Sequence, residues 1–365
     1  MDSFTKTCLL AVGIFFGLAA CAGKDVTLLS LDQRQIAVGD AETDVSEFAW
    51  SGDGRRVAVL GALVRKITVF DVAAGKSVAV LDDLAGGASS LAFLSDGSIL
   101  CAPRGSPGSA ASIWSPDSGS LAFLPGPSGG SDTLANMLSS FSLDRDSGRL
   151  LGIFRTRAGD RVILHLAIYD AASAKLLASR VLPATAVAVA PGGAQAAIVG
   201  QSGQIDIIDL NSGNMLRHID ANHNRVEQIG WSPDGKWLVT GTSPQGYGLD
   251  PATGKYGPLR DTSLLQVWDA QSGQKVAAAA GIANAVRSLD ISRDGRLVAA
   301  ALSDGTVRIL KLADLAEIAR MPETGKPTDM RVRFSPDSRQ LGVLLLGPRL
   351  LAIHDVSRLT SGQGN

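Results

Sequence analysis

The 365-residue chain reads as an all-β fold built from seven repeated four-stranded antiparallel units closed into a ring. Three observations carry that reading. A turn of the Ser-Pro-Asp-Gly kind recurs along the chain, short apolar runs of strand length flank each copy, and the composition disfavours helices, with 41 glycines and only 5% aromatic residues. That much Gly weakens long helices but suits tight turns between strands of small residues.

The clearest unit is the fifth, WSPDGKWLVTGT at 231–242 followed after an interruption by LLQVWDAQSGQKV at 264–276, which is strand, loop, strand, turn, strand. Within its first turn Pro supplies a φ near −65°, Asp bonds its own backbone, and Gly takes the left-handed corner, so these residues are expected to be structural. The same pattern opens with FAWSGDGRRVAVL (48–60), LAFLSDGSILCA (91–102), FSLDRDSGRLLGIF (141–154), VAVAPGGAQAAIVG (187–200), LDISRDGRLVAAA (289–301) and VRFSPDSRQLGVLLL (332–346). The Asp place of the turn is held by Asp53, Asp96, Asp146, Gly192, Asp234, Asp294 and Asp337, at spacings of 43, 50, 46, 42, 60 and 43.

A period near 40–45 with four short strands is that of a β-propeller blade, and the chain resembles the WD40 repeat family. Seven turns predict seven blades, against six in the TolB-type periplasmic propeller, which also uses Ser-Pro-Asp-Gly turns and is the competing resemblance. Length alone suggests about two domains, whereas a ring predicts one. The seventh unit stops after LLAIHDV (350–356), short of an outer strand. The N-terminal run QIAV (35–38), with VTLLSL (26–31) a candidate extra strand, is expected to complete it and so close the ring without open edges.

WD40 repeats carry a Gly-His pair and a buried hydrogen-bonded set of His, Ser/Thr, Trp and Asp. No Gly-His pair occurs here. The Trp place is held by Phe70, Trp114, Tyr169, Ile208, Trp268, Leu310 and His354. The Asp after it survives as Asp71, Asp170, Asp209, Asp269 and Asp355, with Ser115 and Lys311 in the other two units. The fifth unit, with His223 and Trp268-Asp269, comes nearest to the pattern, so the resemblance is to a divergent member.

Lys6 precedes the uncharged run CLLAVGIFFGLAA at 8–20, which has the length of a signal-peptide core and is shorter than a membrane span. Leu18-Ala19-Ala20-Cys21 resembles the lipobox of bacterial lipoproteins. That resemblance implies a signal peptide over 1–20, a lipidated tether over 21–25, a propeller over 26–356 and a tail over 357–365. It implies acylation of Cys21, and two or more chains at about 0.8 kcal/mol per buried CH₂ make an anchor stable. Ala22, where Asp would retain the protein at the inner membrane, implies the periplasmic side of the outer membrane. Cys101 is then left without a disulfide partner and is expected in a core strand.

A formal net charge of −1 gives no reason to expect nucleic acid. The histidines at 165, 218, 223 and 354 have no metal-site spacing. Gly126-Pro127-Ser128-Gly129-Gly130 matches a nucleophile elbow only as a string, and 230–236 has P-loop spacing but Trp237 where Ser or Thr is needed. No catalytic, cofactor or metal residue is therefore assigned. The competing class is a propeller enzyme or small-ligand binder, lactonase-like or quinoprotein-like, that uses the central channel.

Antiparallel blades place first-to-second and third-to-fourth turns at one end of the ring, and second-to-third and blade-to-blade connections at the other. The first end consists of tight turns. The second receives the long stretches 103–110, 155–161 and 243–263 and the blade-to-blade stretch 125–137. Its second-to-third connections hold nine basic residues (Arg65, Lys66, Arg104, Arg155, Arg157, Arg161, Lys255, Arg260, Arg349) against four acidic ones (Asp160, Asp250, Asp261, Asp304). The largest insertion adds Tyr247 and Tyr256, favoured interface residues along with Arg260. Tyr247, Tyr256, Arg260, Arg104, Arg155, Arg157 and Arg161 are therefore the candidate partner-binding residues. The expected function is a non-enzymatic, lipid-anchored scaffold that holds an envelope protein. In role it resembles the eight-bladed propeller lipoprotein of the outer-membrane β-barrel assembly machinery.

Overall fold

The computed structural model describes residues 26–29, 34–39, 44–61, 65–82, 88–103, 109–125, 137–158, 161–200, 203–221, 225–243, 248–249, 256–257, 264–282, 284–321 and 329–360. Its strands form seven blades of four antiparallel strands. Blade one runs from Val45–Trp50 to Lys76–Leu81, blade two from Ala88–Phe93 to Leu121–Pro125, and blade three from Met137–Asp144 to Lys175–Val181. Blade four spans Ala184–Val189 to Met215–Ile219, blade five Arg225–Trp231 to Lys275–Ala278, and blade six Val286–Ile291 to Glu317–Met321. Blade seven has Met330–Phe334, Gln340–Leu345 and Leu350–Asp355, and its fourth strand is the N-terminal Gln35–Ala37. The first strand of each blade meets the first strands of its two neighbours, including blade seven with blade one, so the ring is closed.

Closure follows the sequence expectation. Gln35–Ala37 pairs antiparallel with blade seven's third strand, Ile36 opposite Leu351. Ile36 and Val38 are buried against Phe48, Trp50, Leu344 and Ile353. Thr27–Leu28 pairs in parallel with the outer strand of blade six instead, making that blade five-stranded.

Strand alternation gives every blade two apolar faces, and the core lies between blades rather than at the ring's centre. Blades one and two share Ile67 and Phe93, and blades two and three share Leu100, Phe154 and Tyr169. Leu151 with Ile198, Ile207 with Val226, Val267 with Val298, and Ile309 with Val332 fill the next four seams. Each such side chain contributes roughly 1.5–3 kcal/mol when fully buried, so every blade depends on both neighbours. The seam of blades seven and one is tightest at Gly342, where an added Cβ would lie 2.7 Å from the Phe48 ring.

Two local expectations change. Residues 155–161 read as a long loop, but the second and third strands of blade three extend through them as Arg149–Ala158 and Arg161–Asp170, with Arg155 opposite Leu164 and Arg157 opposite Val162. Thr156, Val162 and Ile163 are strong strand formers, which favours extending the ladder over opening a loop. The insertion of blade five carries its own two-residue ladder, Gly248–Leu249 against Tyr256–Gly257.

Candidate functional site

Most of the recurring turn aspartates are occupied with the backbone. At the third-to-fourth turns, Asp209 accepts from the amides of Asn211 and Ser212, Asp269 from those of Gln271 and Ser272, and Asp170 from that of Ser173. The Ser212 and Ser272 amide bonds hold the Asp209 and Asp269 carboxyls below the usual carboxylate range, and the Ser173 hydroxyl does the same for Asp170. At the first-to-second turns Asp234 accepts the Ser232 hydroxyl and the Lys236 amide, and Asp53 does the same with Ser51 and Arg55. The recurring signature is thus a set of self-satisfied turns, as the sequence predicts.

Blade five retains part of the WD40 hydrogen-bonded set. Trp268, 3% exposed, donates its indole N–H to Thr240 Oγ1 at 2.9 Å. Asp269 of the same pair serves its own turn, and His223 lies outside the described residues. Cys101 is buried in the strand Ile99–Pro103 and burial pushes its thiol pKa up, in accord with a core role. Residues 230–236 form a strand end and a turn entering a second strand, not the strand-to-helix junction of a P-loop.

Of the candidate binding residues, Tyr256 lies on the small ladder of blade five's insertion, and Arg155, Arg157 and Arg161 lie on the extended central hairpin of blade three. Both elements join second to third strands and so belong to the same end of the ring. Cys21, Arg104, Tyr247, Arg260 and residues 126–130 lie outside the described residues. At this end Lys66 pairs with Asp82 at 3.7 Å, and Asp304 accepts the Asn284 side-chain amide at 2.7 Å.

The first strands enclose a central cavity of about 650 Å³, walled by Trp50, Trp231 and Phe334 and by a set of charged residues. Neighbouring blades pair several of these charges. Glu47 meets Arg333 at 3.3 Å and Arg331 at 3.7 Å, and Glu227 meets Arg287 at 3.5 Å. Asp290 accepts the Phe334 amide at 2.6 Å. It faces the channel but is enclosed by protein, and this loss of hydration raises its pKa to about 6, against the opposing pull of Arg333.

Sequence reasoning missed the mouth of this channel at the tight-turn end. The turn of blade three, Asp144-Arg145-Asp146-Ser147-Gly148, reaches across it in two directions. Arg145 donates to the Trp50 carbonyl of blade one at 2.9 Å, and Asp146 takes two bonds from Arg293 of blade six at 2.7 and 2.9 Å. Blades three and six are three places apart in a ring of seven, so these ties span the opening. Burial first, and Arg293 second, pull the pKa of the Arg145 guanidinium down. The signal was present in the sequence: Arg145 and Arg293 occupy the corner that Pro holds at Pro191, Pro233 and Pro336. A Pro corner projects no charge, whereas an Arg corner can.

Among the described residues no group of three or more His, Cys, Asp or Glu is placed to hold a metal ion, and no helix is long and apolar enough to cross a membrane. The family described as WD domain, G-beta repeat matches residues 213–245 and 276–310. Each match takes in the outer strand of one blade and the inner strands of the next, and the first ends where the blade-five insertion begins. A comparison with curated proteins finds no match. Propellers of the WD40 type are in general protein-interaction scaffolds. The chain is thus a closed β-propeller of seven four-stranded blades, similar to WD40 propellers over the two matched stretches.

Proposed function

We propose that the protein is a non-enzymatic scaffold, anchored by lipid at Cys21 to the periplasmic side of the outer membrane, which holds another cell-envelope protein on its loop-bearing end. The observation that carries this reading is the asymmetry of the ring. One end is a set of tight turns, most of which satisfy their own hydrogen bonds, while the other carries the blade-five insertion with Tyr256 and the blade-three hairpin with Arg155, Arg157 and Arg161. The lipobox-like Leu18-Ala19-Ala20-Cys21 supports the address.

A photo-crosslinker placed at Tyr247 or Tyr256 in intact cells is expected to give a discrete adduct with one envelope protein. Deleting 246–259 is expected to leave the denaturation midpoint unchanged and abolish the adduct. Absence of any adduct at either position would count against the binding end. A Cys21→Ala protein that still sedimented with membranes would remove the anchor. A second reading, a small polar ligand in the channel, draws on the 650 Å³ cavity with Asp290 and Arg145 in its wall. An organic ligand or metal retained through purification, with no crosslinked protein, would favour it.

A further inference from the structure

We infer that the tight-turn end of blade six is the membrane-proximal corner of the molecule, so that the loop-bearing end faces away from the lipid surface. This rests on the lipid-anchor reading, but the orientation itself comes from the strand Thr27–Leu28. The outer strand of blade six, Glu317–Met321, leaves the turn at 312–316 and therefore runs from the tight-turn end toward the loop-bearing end. Thr27–Leu28 is parallel to it, with Thr27 opposite Ala319 and Leu28 opposite Arg320. Followed toward the N-terminus, the chain therefore heads to the tight-turn end from near the middle of the blade's height.

Four residues, and so five Cα-to-Cα steps, separate Cys21 from Val26. Fully extended they span at most about 16–18 Å. A tether of that length is long enough to clear the tight-turn end if it keeps the strand's direction, since Ala319 lies three residues, roughly 10 Å, beyond Ala316. To bring the opposite end to the membrane the tether would first have to reverse. A turn occupies about four residues, which leaves none to cover the remaining height of the blade. An acylated Cys21 thus holds the rim of blade six close to the headgroups with the tight turns toward them. Leu28, 69% exposed, stands on this rim beside the tether. The Arg145 and Asp146 bridges then close the channel mouth on the membrane side, and the Tyr256 insertion is displayed on the far side.

The test uses the acylated full-length protein in vesicles of phosphatidylethanolamine and phosphatidylglycerol that carry a nitroxide on a fraction of the headgroups. Single cysteines are introduced in blade six, Ala313→Cys at the tight-turn end and Ser303→Cys at the loop-bearing end, and each is labelled with a fluorophore. Cys101 is buried and does not compete for label. The two positions lie about 17–20 Å apart along the blade, so quenching is expected to be at least about threefold stronger at 313 than at 303. A flexible ten-residue Gly-Ser insertion after Lys24 is expected to bring that ratio near one. Equal or stronger quenching at 303 in the unmodified tether, or a ratio that survives the insertion, overturns the orientation while leaving the anchor intact. Absence of acyl groups on Cys21 by mass, or membrane binding by Cys21→Ala, overturns the anchor reading and the orientation with it.

Discussion

The first turns of blades five and three hold the same place in their blades, but their left-handed glycines, Gly235 and Gly148, stand one position apart, and the two turns are put to opposite uses. In blade five, Ser232, Pro233 and Asp234 close on themselves: the hydroxyl and the Lys236 amide both bond to Asp234. In blade three the Ser place is Asp144, which takes over the capping by accepting the Ser147 amide and hydroxyl, and it also accepts the Gly192 amide of blade four at 3.1 Å. Asp146 is thereby released from its turn and Arg145 from the Pro corner, and both reach over the channel. A few changed residues within a repeat move the carboxylate that stabilises the turn, and the carboxylate left over becomes available for something else.

The sharpest way to break this comparison is to remove the two capping carboxylates. Asp144→Ala takes away three bonds, one of them to the amide at blade four's Asp-less corner, so a loss of about 2 kcal/mol is expected. Asp234→Ala removes only local bonds and should cost about 1 kcal/mol. Urea denaturation of both variants checks the order. A larger loss for Asp234→Ala would mean that the blade-three turn does not depend on Asp144.

Between these in size is a pH effect from the channel wall. The Asp290 pKa is raised to about 6 in the folded protein, above its unfolded value of 3.8. The native state therefore binds the proton more tightly than the unfolded chain between those two values, and this group makes the protein more stable as pH falls from 7 toward 4. The gain is about 1–2 kcal/mol after allowance for its opening to the channel. Asp53, Asp170, Asp209, Asp234, Asp269 and Asp355 carry the opposite shift and withdraw stability as pH falls below the ordinary carboxylate range. Denaturation midpoints are thus expected to peak near pH 5, and Asp290→Asn should flatten the rise from pH 7 to 5. A rise of the same size in Asp290→Asn would assign it to another group.

The same contrast explains what the sequence could and could not reveal. Blade number, the structural turns and the borrowed strand at Gln35–Ala37 were legible because each is encoded locally, in a four-residue turn or a short apolar run. The strand through Arg155 and Arg157 was misread because charged residues there interrupt an apolar pattern that cross-strand pairing nonetheless sustains. The bridge from Asp146 to Arg293 spans 147 residues of sequence and exists only once the ring closes. Gly342 is similar: nothing near it in the chain announces that Phe48 of another blade will lie against it.

The smallest expected effect concerns that bridge. Arg293 and Asp146 have side chains 49% and 74% exposed, so water and salt screen their attraction despite the two-bond geometry. A double-mutant cycle of Asp146→Ala and Arg293→Ala should give a coupling of about 0.2–1 kcal/mol at low salt. Raising the salt to about 1 M shortens the screening length to about 3 Å and should remove most of that coupling. The Asp144→Ala loss, made of direct bonds to backbone and hydroxyl, should change little under the same conditions. If both respond alike, the two carboxylates of this turn do not play different parts. If only the Asp146 coupling falls, one holds the blade while the other spans the channel at little cost or gain in stability.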